Sequence, residues 1–344
     1  MSITNNRILY ACESVSIGPF QSGSGTVVHG VQTAGITTNF NLSQAFELGQ
    51  LDIYEQIENL PSVEMSLEKC LDGYPLIYEL CTRGHTTPDL LARSNQRADV
   101  FFTIFSDSFS AASGVPVNQM YCSGMYVNSL NYKIPLQGPI TETVTLVGND
   151  KVWINNATPV WSAGSGFAFN GQLNGLDAPA SGIQRRWNIL MGSGFSVFPT
   201  NIQGITSVNG SGFNIQSNGV FGAHIQDIDI STSLNREDLL ELGRVRPYFK
   251  YAKFPTPVNC SINITAGGND VGDNIQVNGD SFNNTTNQII KIELSDSTVF
   301  DLGTRNRLSN IRYAGGSVGG EVVTITYDFV NYNELTITSN SDPL

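Results

Sequence analysis

Four glutamates in one short stretch could supply the two carboxylates of an acid–base catalytic pair. Glu55 and Glu58 precede a turn that contains a proline, and Glu64 and Glu68 follow it. Paired carboxylates of this kind serve general acid–base catalysis when they face a common substrate. Apolar residues alternate with polar ones on both sides of the turn, which is typical of strands with an outward polar set. We therefore interpret the glutamates as a solvated face or an interface.

Metal chemistry has one further candidate in a loop rich in glycine and asparagine. Asp270, Asp273 and Asp280 supply oxygen atoms of the kind that Ca²⁺ binds, but their spacing does not match an EF-hand, which favours a solvated loop. The chain has three histidines, none within metal-ligand spacing of another His or a Cys. Nucleophile-elbow and phosphate-loop motifs are absent from the sequence. The sequence therefore predicts no enzyme, no cofactor and no metal site.

The composition favours a mainly β protein of about two domains. The chain has 344 residues, of which 40% are hydrophobic and only 14% charged, and it contains 34 glycines. Frequent Asn, Ser and Thr accompany the glycines, as in short strands joined by turns. The net charge of −12 argues against electrostatic binding of nucleic acid, which requires Lys and Arg to neutralise phosphates.

Cysteine usage and hydropathy bear on the compartment. The five cysteines are scattered, odd in number and free of any Cys-x-x-Cys motif, so we interpret them as reduced core residues in a cytosol-like compartment. The first residues do not resemble a signal peptide. No apolar run approaches the roughly 20 residues that a membrane helix needs.

The elements that position these groups are predicted to be mostly strands. The stretch 31–82 reads as the end of a strand over 26–40, a helical turn QAFEL capped by Ser43, a hairpin of strands at 50–58 and 63–68, and a helix PLIYELCT. Residues 86–99 are polar and predict a loop or lid. Further strands are predicted at 8–17, 100–106, 120–134, 140–147, 151–154 and 187–198.

Part of this stretch recurs late in the chain. VQTAGITTNFNLSQAFELGQLDIYEQIENLP, from Val31, matches IQDIDISTSLNREDLLELGRVRPYFKYAKFP, from Ile225, at a constant offset of 194 residues. Weaker similarity continues from FTIFSDS to KIELSDS and from 132–147 to 313–328, but the helix PLIYELCT has no counterpart. We infer an internal duplication, with repeat 1 over 1–155, a linker or irregular insertion over 156–190, and repeat 2 over 191–344.

The two copies carry opposite charge, which predicts complementary self-association surfaces. Two copies of one element with opposite charge attract each other head to tail, whereas like copies repel. The alternative is two ordinary solvated faces that have diverged. The residues predicted to act in self-assembly are Asp52, Glu55, Glu58 and Glu64 in the acidic copy, and Arg244, Arg246, Lys250 and Lys253 in the basic copy.

The segment QAFELGQLDIYEQIENLPSVEMSLEK, followed by LDGYPLIYEL, resembles the tail tube proteins of contractile-tailed bacteriophages. The close resemblance covers about 50 residues, and the remainder of the chain shares it only through the internal copy. It implies two tandem β-barrel or sandwich domains, the first with a flanking short α-helix. It also implies long hairpins that reach the adjacent ring, here 50–69 and 244–264.

The resemblance implies a virion structural protein that forms stacked rings of the tail tube. Tube proteins of this family usually carry one such domain and form hexameric rings, so three two-domain chains would give a pseudo-sixfold ring, and six chains are the alternative. Genomic DNA would pass through the channel without specific binding, because an acidic lumen repels phosphates. Sheath, baseplate and terminator proteins are the implied partners, with assembly in the host bacterial cytoplasm and residence in the virion tail.

Two other readings remain open at this stage. A tail-tip, baseplate or tube-terminating protein of the same fold family would form a single ring instead of a tube. The scattered aromatic residues and the Asp-rich loop suggest a carbohydrate-binding β-module or a glycan-active enzyme, which binding to a glycan array or a calcium-dependent thermal shift would support.

Overall fold

A computed structural model describes residues 13–22, 25–85, 89–105, 116–155, 181–189, 224–265, 289–315 and 323–339. Cys12, the aspartate loop with Asp270, Asp273 and Asp280, and most of the predicted insertion at 156–190 lie outside these ranges. Neither α-helix in the described part of the chain is long and apolar enough to span a membrane.

The fold is mainly β, as the composition predicts. In chain order the strands are β1 (Glu13–Pro19), β2 (Thr26–Val27), β3 (Val31–Asn39), β4 (Leu42–Phe46), β5 (Ile53–Glu58), β6 (Ser62–Cys70), β7 (Ala98–Phe105), β8 (Pro116–Pro135), β9 (Thr141–Gly148), β10 (Val152–Asn155), β11 (His224–Ser233), β12 (Glu237–Leu239), β13 (Phe249–Tyr251), β14 (Pro257–Thr265), β15 (Lys291–Glu293), β16 (Val299–Asp301), β17 (Arg307–Ala314), β18 (Thr324–Tyr332) and β19 (Thr336–Thr338). The helices are α1 (Ile77–Cys81) and α2 (Leu90–Ser94), with a 3₁₀ turn at Arg186–Asn188.

The long strand β8 connects two sheets. Its first half pairs with β7 and β10, and the sheet continues from β7 to β1 and β2. Its second half pairs with β9 on one side and β11 on the other. Through that second half runs a continuous antiparallel sheet in the order β3-β6-β9-β8-β11-β14-β18-β17.

Alternating side chains from this eight-strand sheet form the core. On β9 and β18 every second residue is buried, as expected for strands with one face against other layers. Strand β7 is buried throughout. A small sheet, β15-β16-β19, packs on the same core, and Phe300 from it contacts Tyr132 of β8 with ring centroids 4.7 Å apart.

The sheet halves on either side of the β8–β11 junction have matching strand order and register. A β-bulge lies between Val31 and Thr33 where β3 pairs with β6, and one lies between Ile225 and Asp227 where β11 pairs with β14. These positions differ by the offset of 194 residues that separates the two sequence copies. The strands β3 and β11 therefore occupy the same place in their respective halves.

A second bulge relates β8 to β17 in the same way. It lies between Val127 and Ser129 in the β8–β9 pair and between Leu308 and Asn310 in the β17–β18 pair. The predicted alignment of residues 143–145 with 324–326 is shifted by two residues, because Thr143 has the ladder position of Thr326. Two sets of four strands thus share one pairing pattern, while duplication of complete domains stays a prediction.

The predicted helical turn QAFEL is wrong, because Gln44, Ala45 and Phe46 belong to β4, and Glu47 and Leu48 lead into the turn at Gly49. Asn59 donates from its side chain to the Ser43 hydroxyl at 2.5 Å and to the Asn41 carbonyl at 2.8 Å. The Ser43 hydroxyl is therefore engaged across the hairpin instead of capping a helix. The predicted pairing of 50–58 with 63–68 is also wrong, since β5 pairs with β4 and β6 pairs with β3.

Other predicted elements agree with the structure in part. The strands predicted at 100–106, 120–134, 140–147 and 151–154 are confirmed as β7 to β10. The predicted loop 86–99 instead contains α2, which begins after Asp89, whose carboxylate accepts a hydrogen bond from the Leu91 N–H at 3.1 Å. The strand predicted over 26–40 is divided into β2 and β3. A 3₁₀ turn occupies the start of 187–198, while residues 190–198 of that strand and residues 8–12 of the strand predicted at 8–17 lie outside the described ranges.

Candidate self-assembly surfaces

Two hairpin arms extend from the eight-strand sheet, and we call residues 40–61 the first arm and residues 234–256 the second arm. Each arm contains a two-stranded ladder, β4–β5 in the first and β12–β13 in the second. Asn41 and Asn235 enter the arms with φ of 47° and 43°, and Gly49 and Gly243 turn them with φ of 93° and 85°. Asn and Gly are the residues that adopt this left-handed backbone most readily.

The tips of both arms expose apolar side chains. Leu48 and Leu51 in the first arm, and Leu242 in the second, are completely exposed, and Val245 is largely exposed. Large apolar side chains exposed together at one end of a soluble protein indicate an interaction site. The same sequence positions carry this property in both arms, at the offset of 194 residues.

The acidic residues predicted for self-assembly lie on and near the first arm. Asp52, Glu55 and Glu58 are exposed on the arm itself, and Glu64 is exposed on β6 where the arm joins the sheet. Within the described residues, none of these four carboxylates forms an ion pair. They are therefore accessible to a cationic partner.

Arg244 and Arg246, near the tip of the second arm, each have a carboxylate partner, one in the arm and one after β9 in the body of the protein. Arg244 contacts Glu241 at 2.8 Å, and Arg246 contacts Asp150 at 3.0 Å. More than half of each arginine side chain is exposed in these pairs. Exposed ion pairs contribute only about 0–1 kcal/mol, so both arginines can exchange partners at little cost.

The other two predicted basic residues are nearer the base of the second arm. Lys253 is exposed and contacts Glu237 at 3.5 Å. Lys250 is buried and contacts Asp238 at 2.5 Å, which makes it a structural residue of the β12–β13 ladder. Within one chain, none of these four basic residues contacts Asp52, Glu55, Glu58 or Glu64. The predicted attraction between the acidic and basic residues concerns contacts between copies, so it stays a prediction.

Arg236 attaches the second arm to the body of the protein. Its guanidinium donates to the carbonyl oxygens of Val127 at 2.5 Å, Lys250 at 2.9 Å and Ser94, and lies 4.8 Å from the Tyr126 ring centroid. Burial lowers the pKa of Arg236 to about 10, so the side chain remains protonated at neutral pH. The sequence identifies Arg236 only as one more basic residue of the second arm. Its anchoring role could not be predicted, because its three carbonyl partners are distant in sequence.

A buried carboxylate was also missed by the sequence reasoning. Glu142 on β9 accepts hydrogen bonds from the backbone N–H of Ile77 at 2.7 Å and of Tyr78 at 3.1 Å, and from the Tyr132 hydroxyl at 2.8 Å. Burial raises the pKa of Glu142 despite these donors and the nearby Lys69. The sequence pattern did contain a signal, since Glu142 lies between Ile140 and Val144 on the apolar face of the strand.

Comparisons with known proteins gave only remote structural similarity. No family model and no curated protein sequence matches the chain. The tube-terminating cap of the anti-feeding prophage is 12% identical with a TM-score of 0.33, covering 45% of this chain and 99% of that one. A chain of the anti-feeding prophage baseplate is 12% identical with a TM-score of 0.33, covering 44% and 98%.

A third solved structure has the same level of similarity. A chain of the sheath–tube complex of an extracellular contractile injection system, PVC, in its extended state is 10% identical with a TM-score of 0.32. It covers 44% of this chain and 94% of that chain.

Proposed function

We propose that the protein is a structural component of a phage-like tail, in which copies form rings and the rings stack into a tube. The observation that carries this proposal is the pair of projecting arms with exposed apolar tips. The sequence resemblance of residues 44–80 to tail tube proteins agrees with it. Assembly takes place in the host cytoplasm, and the product is part of the virion tail.

The arms supply contacts along the tube axis. Leu48 and Leu51 project beyond the β4–β5 ladder, where a neighbouring ring can cover them. Complete burial of a leucine side chain contributes about 1.5–3 kcal/mol, so two arms on every chain give stacking a substantial driving force. An isolated monomer would instead leave these side chains in water.

Charge gives the stacking a direction. The acidic residues Asp52, Glu55, Glu58 and Glu64 would face the basic residues of a second arm on another copy. Arg244, Arg246 and Lys253 are exposed there, whereas Lys250 supports the ladder from within. Contacts between a first arm and a second arm are attractive, and contacts between two first arms repel.

Each ring contains three chains and hence six four-strand sets around a channel, with a ring of six chains as the alternative. The net charge of −12 suits a channel through which genomic DNA passes without specific binding, since Lys and Arg are what hold phosphates. Sheath, baseplate and terminator proteins are the expected neighbours.

Negative-stain electron microscopy of the purified full chain over a range of concentrations tests this function. We expect stacked rings with a central channel as wide as a DNA duplex. Native mass spectrometry then distinguishes rings of three chains from rings of six. Single rings that never stack would favour the terminator or baseplate role, and monomers at every concentration would overturn the proposal.

A further inference from the structure

The eight-strand sheet ends in two strands that are each paired on one side only within the described residues. β3 pairs with β6 and β17 pairs with β18, and no strand of the described ranges pairs with the outer side of either. The two strands have 9 and 8 residues and most of their side chains are exposed. Unpaired edges of this length are templates for pairing with another strand.

The middle of the same sheet shows how two such edges can join. β8 and β11 pair antiparallel, with Ile230 opposite Tyr132, and both side chains are fully buried. The Leu234 N–H donates to the Asn128 carbonyl at 2.8 Å, which carries the pairing to the start of the second arm. Leu234 is also fully buried at this junction.

The free edges are the counterparts of the strands in this junction. The matching bulges relate β3 to β11 and β17 to β8, so a β17–β3 contact between copies would repeat the β8–β11 contact within one chain. Phe40 corresponds to Leu234, and the Phe40 side chain is 64% exposed whereas Leu234 is 0% exposed. Tyr313 corresponds to Tyr132, and the Tyr313 side chain is 65% exposed whereas Tyr132 is 0% exposed.

We infer that β17 of one copy pairs antiparallel with β3 of a second copy, in the register of the β8–β11 junction. Transferred to the free edges, that register places Ile36 opposite Tyr313 and Thr38 opposite Ile311. Phe40 then has the position in which Leu234 is buried. This contact is the joint between neighbouring chains of the ring, and the ring itself rests on the proposed function.

Charge favours this contact over contacts between like edges. Arg312 of β17 would lie opposite Thr37, whose partner on β6 is the exposed Glu64. Pairing two β3 edges would instead bring no cation from the edge strand itself, since β3 carries no charged residue and both neighbouring β6 strands carry Glu64 and Glu68. A head-to-tail contact repeats from copy to copy, and it closes into a ring when the rotation between copies permits.

Disulfide trapping between two separately prepared variants tests the register. Adjacent pairs in an antiparallel ladder alternate between wide and close spacing, so either Thr37–Arg312 or Thr38–Ile311 provides the close Cβ atoms that a disulfide needs. A chain with Thr37→Cys or Thr38→Cys is mixed with a chain carrying Arg312→Cys or Ile311→Cys and oxidised. Cys12→Ser is introduced throughout, and the four described native cysteines are buried.

We expect disulfide-linked dimers in one of the two in-register mixtures and in no sample that contains a single variant. The matched control is Thr38→Cys with Ser309→Cys, two residues out of register, which we expect to yield at least tenfold less dimer. Dimers in the control, or from one variant alone, would overturn the inference.

A second pair of variants separates this inference from the proposed function. Phe40→Asp and Tyr313→Glu change exposed residues, so the free chain should fold with an unchanged unfolding midpoint while ring formation is lost. Trp153→Asp, an exposed aromatic on β10, should leave rings intact. Rings that form without in-register dimers would overturn the edge contact alone, whereas wild-type chain that never forms rings would overturn both proposals.

Discussion

The hydroxyl of Tyr132 lies 2.8 Å from a carboxylate oxygen of Glu142, on the residue directly opposite it in the β8–β9 ladder. The same carboxylate accepts the first N–H groups of α1. One buried side chain therefore connects the helix to the strand that joins the two halves of the sheet.

Replacing Glu142 by Gln should lower the free energy of unfolding by about 2–3 kcal/mol. Gln offers one acceptor oxygen where the carboxylate serves three donors, so at least one buried donor loses its partner. Urea unfolding at neutral pH measures the change. Tyr132→Phe is the control, since it removes one hydrogen bond and should cost about 1 kcal/mol. An effect of Glu142→Gln below that of Tyr132→Phe would contradict this account.

The raised pKa of Glu142 predicts how this difference depends on pH. Burial raises the folded pKa above the unfolded value of about 4.3, so the contribution of this group is complete below that value and decreases as pH rises through the folded pKa. The stability of wild type relative to Glu142→Gln should therefore be greatest near pH 4 and smaller at pH 7. Urea unfolding of both proteins across this pH range measures the difference, in which the contributions of the other carboxylates cancel. A difference that increases with pH would show a lowered pKa.

Arg236→Met should detach the second arm from the body. The substitution retains an apolar stem over Tyr126 but leaves the carbonyls of Val127, Lys250 and Ser94 without this donor. We expect a loss of about 3 kcal/mol in unfolding free energy and faster proteolysis within 234–256. Leu42→Met, at the corresponding exposed position of the first arm, is the control and should change neither measurement. Unchanged proteolysis of Arg236→Met would show that other contacts hold the arm.

Sequence periodicity was sufficient for the strands with one buried face. Every second residue of β9 is buried, and its prediction at 140–147 is correct within one or two residues. The same rule predicted a half-buried strand at 50–58, but β5 covers only Ile53–Glu58 and all six residues are exposed. The rule also could not identify its partner, because pairing depends on where the chain reverses. The reversal lies at Gly49, in the left-handed conformation, and not at Pro61.

The sheet junction could not be predicted from local pattern. Residues 129–135 pair with 227–233 across about one hundred positions of sequence, and the pairing uses backbone groups that every residue carries. The internal repeat did predict that the two arms would correspond, and Asn41 and Asn235 do share their backbone conformation. It could not show that Arg236 attaches the second arm to the body, since the corresponding residue of the first arm is the exposed Leu42.

Replacing both Leu48 and Leu51 by Ser should abolish stacking without unfolding the chain. Both side chains are fully exposed, so the unfolding free energy should change by less than about 0.5 kcal/mol. Electron microscopy should show single rings where wild type forms tubes. Val117→Ser, which alters an exposed apolar residue away from the arms, should still give tubes. Normal tubes from the double variant would show that the arm tips do not carry the stacking contact.

Reversing Arg244 and Arg246 to Glu should block assembly at low salt if the arms meet through opposite charge. Lys250 is left unchanged, because its reversal would place two carboxylates together in the ladder with Asp238. Light scattering measures assembly, and the defect should diminish as salt screens the repulsion.

A rescue separates this cause from loss of the local pairs with Glu241 and Asp150. Adding Asp52→Arg and Glu55→Arg to the same chain restores opposite charges between arms of different copies while the local pairs stay broken. Assembly should return in this fourfold variant, because only the contact between copies has been re-established. Unimpaired assembly of the arginine reversal at low salt would remove the charge hypothesis.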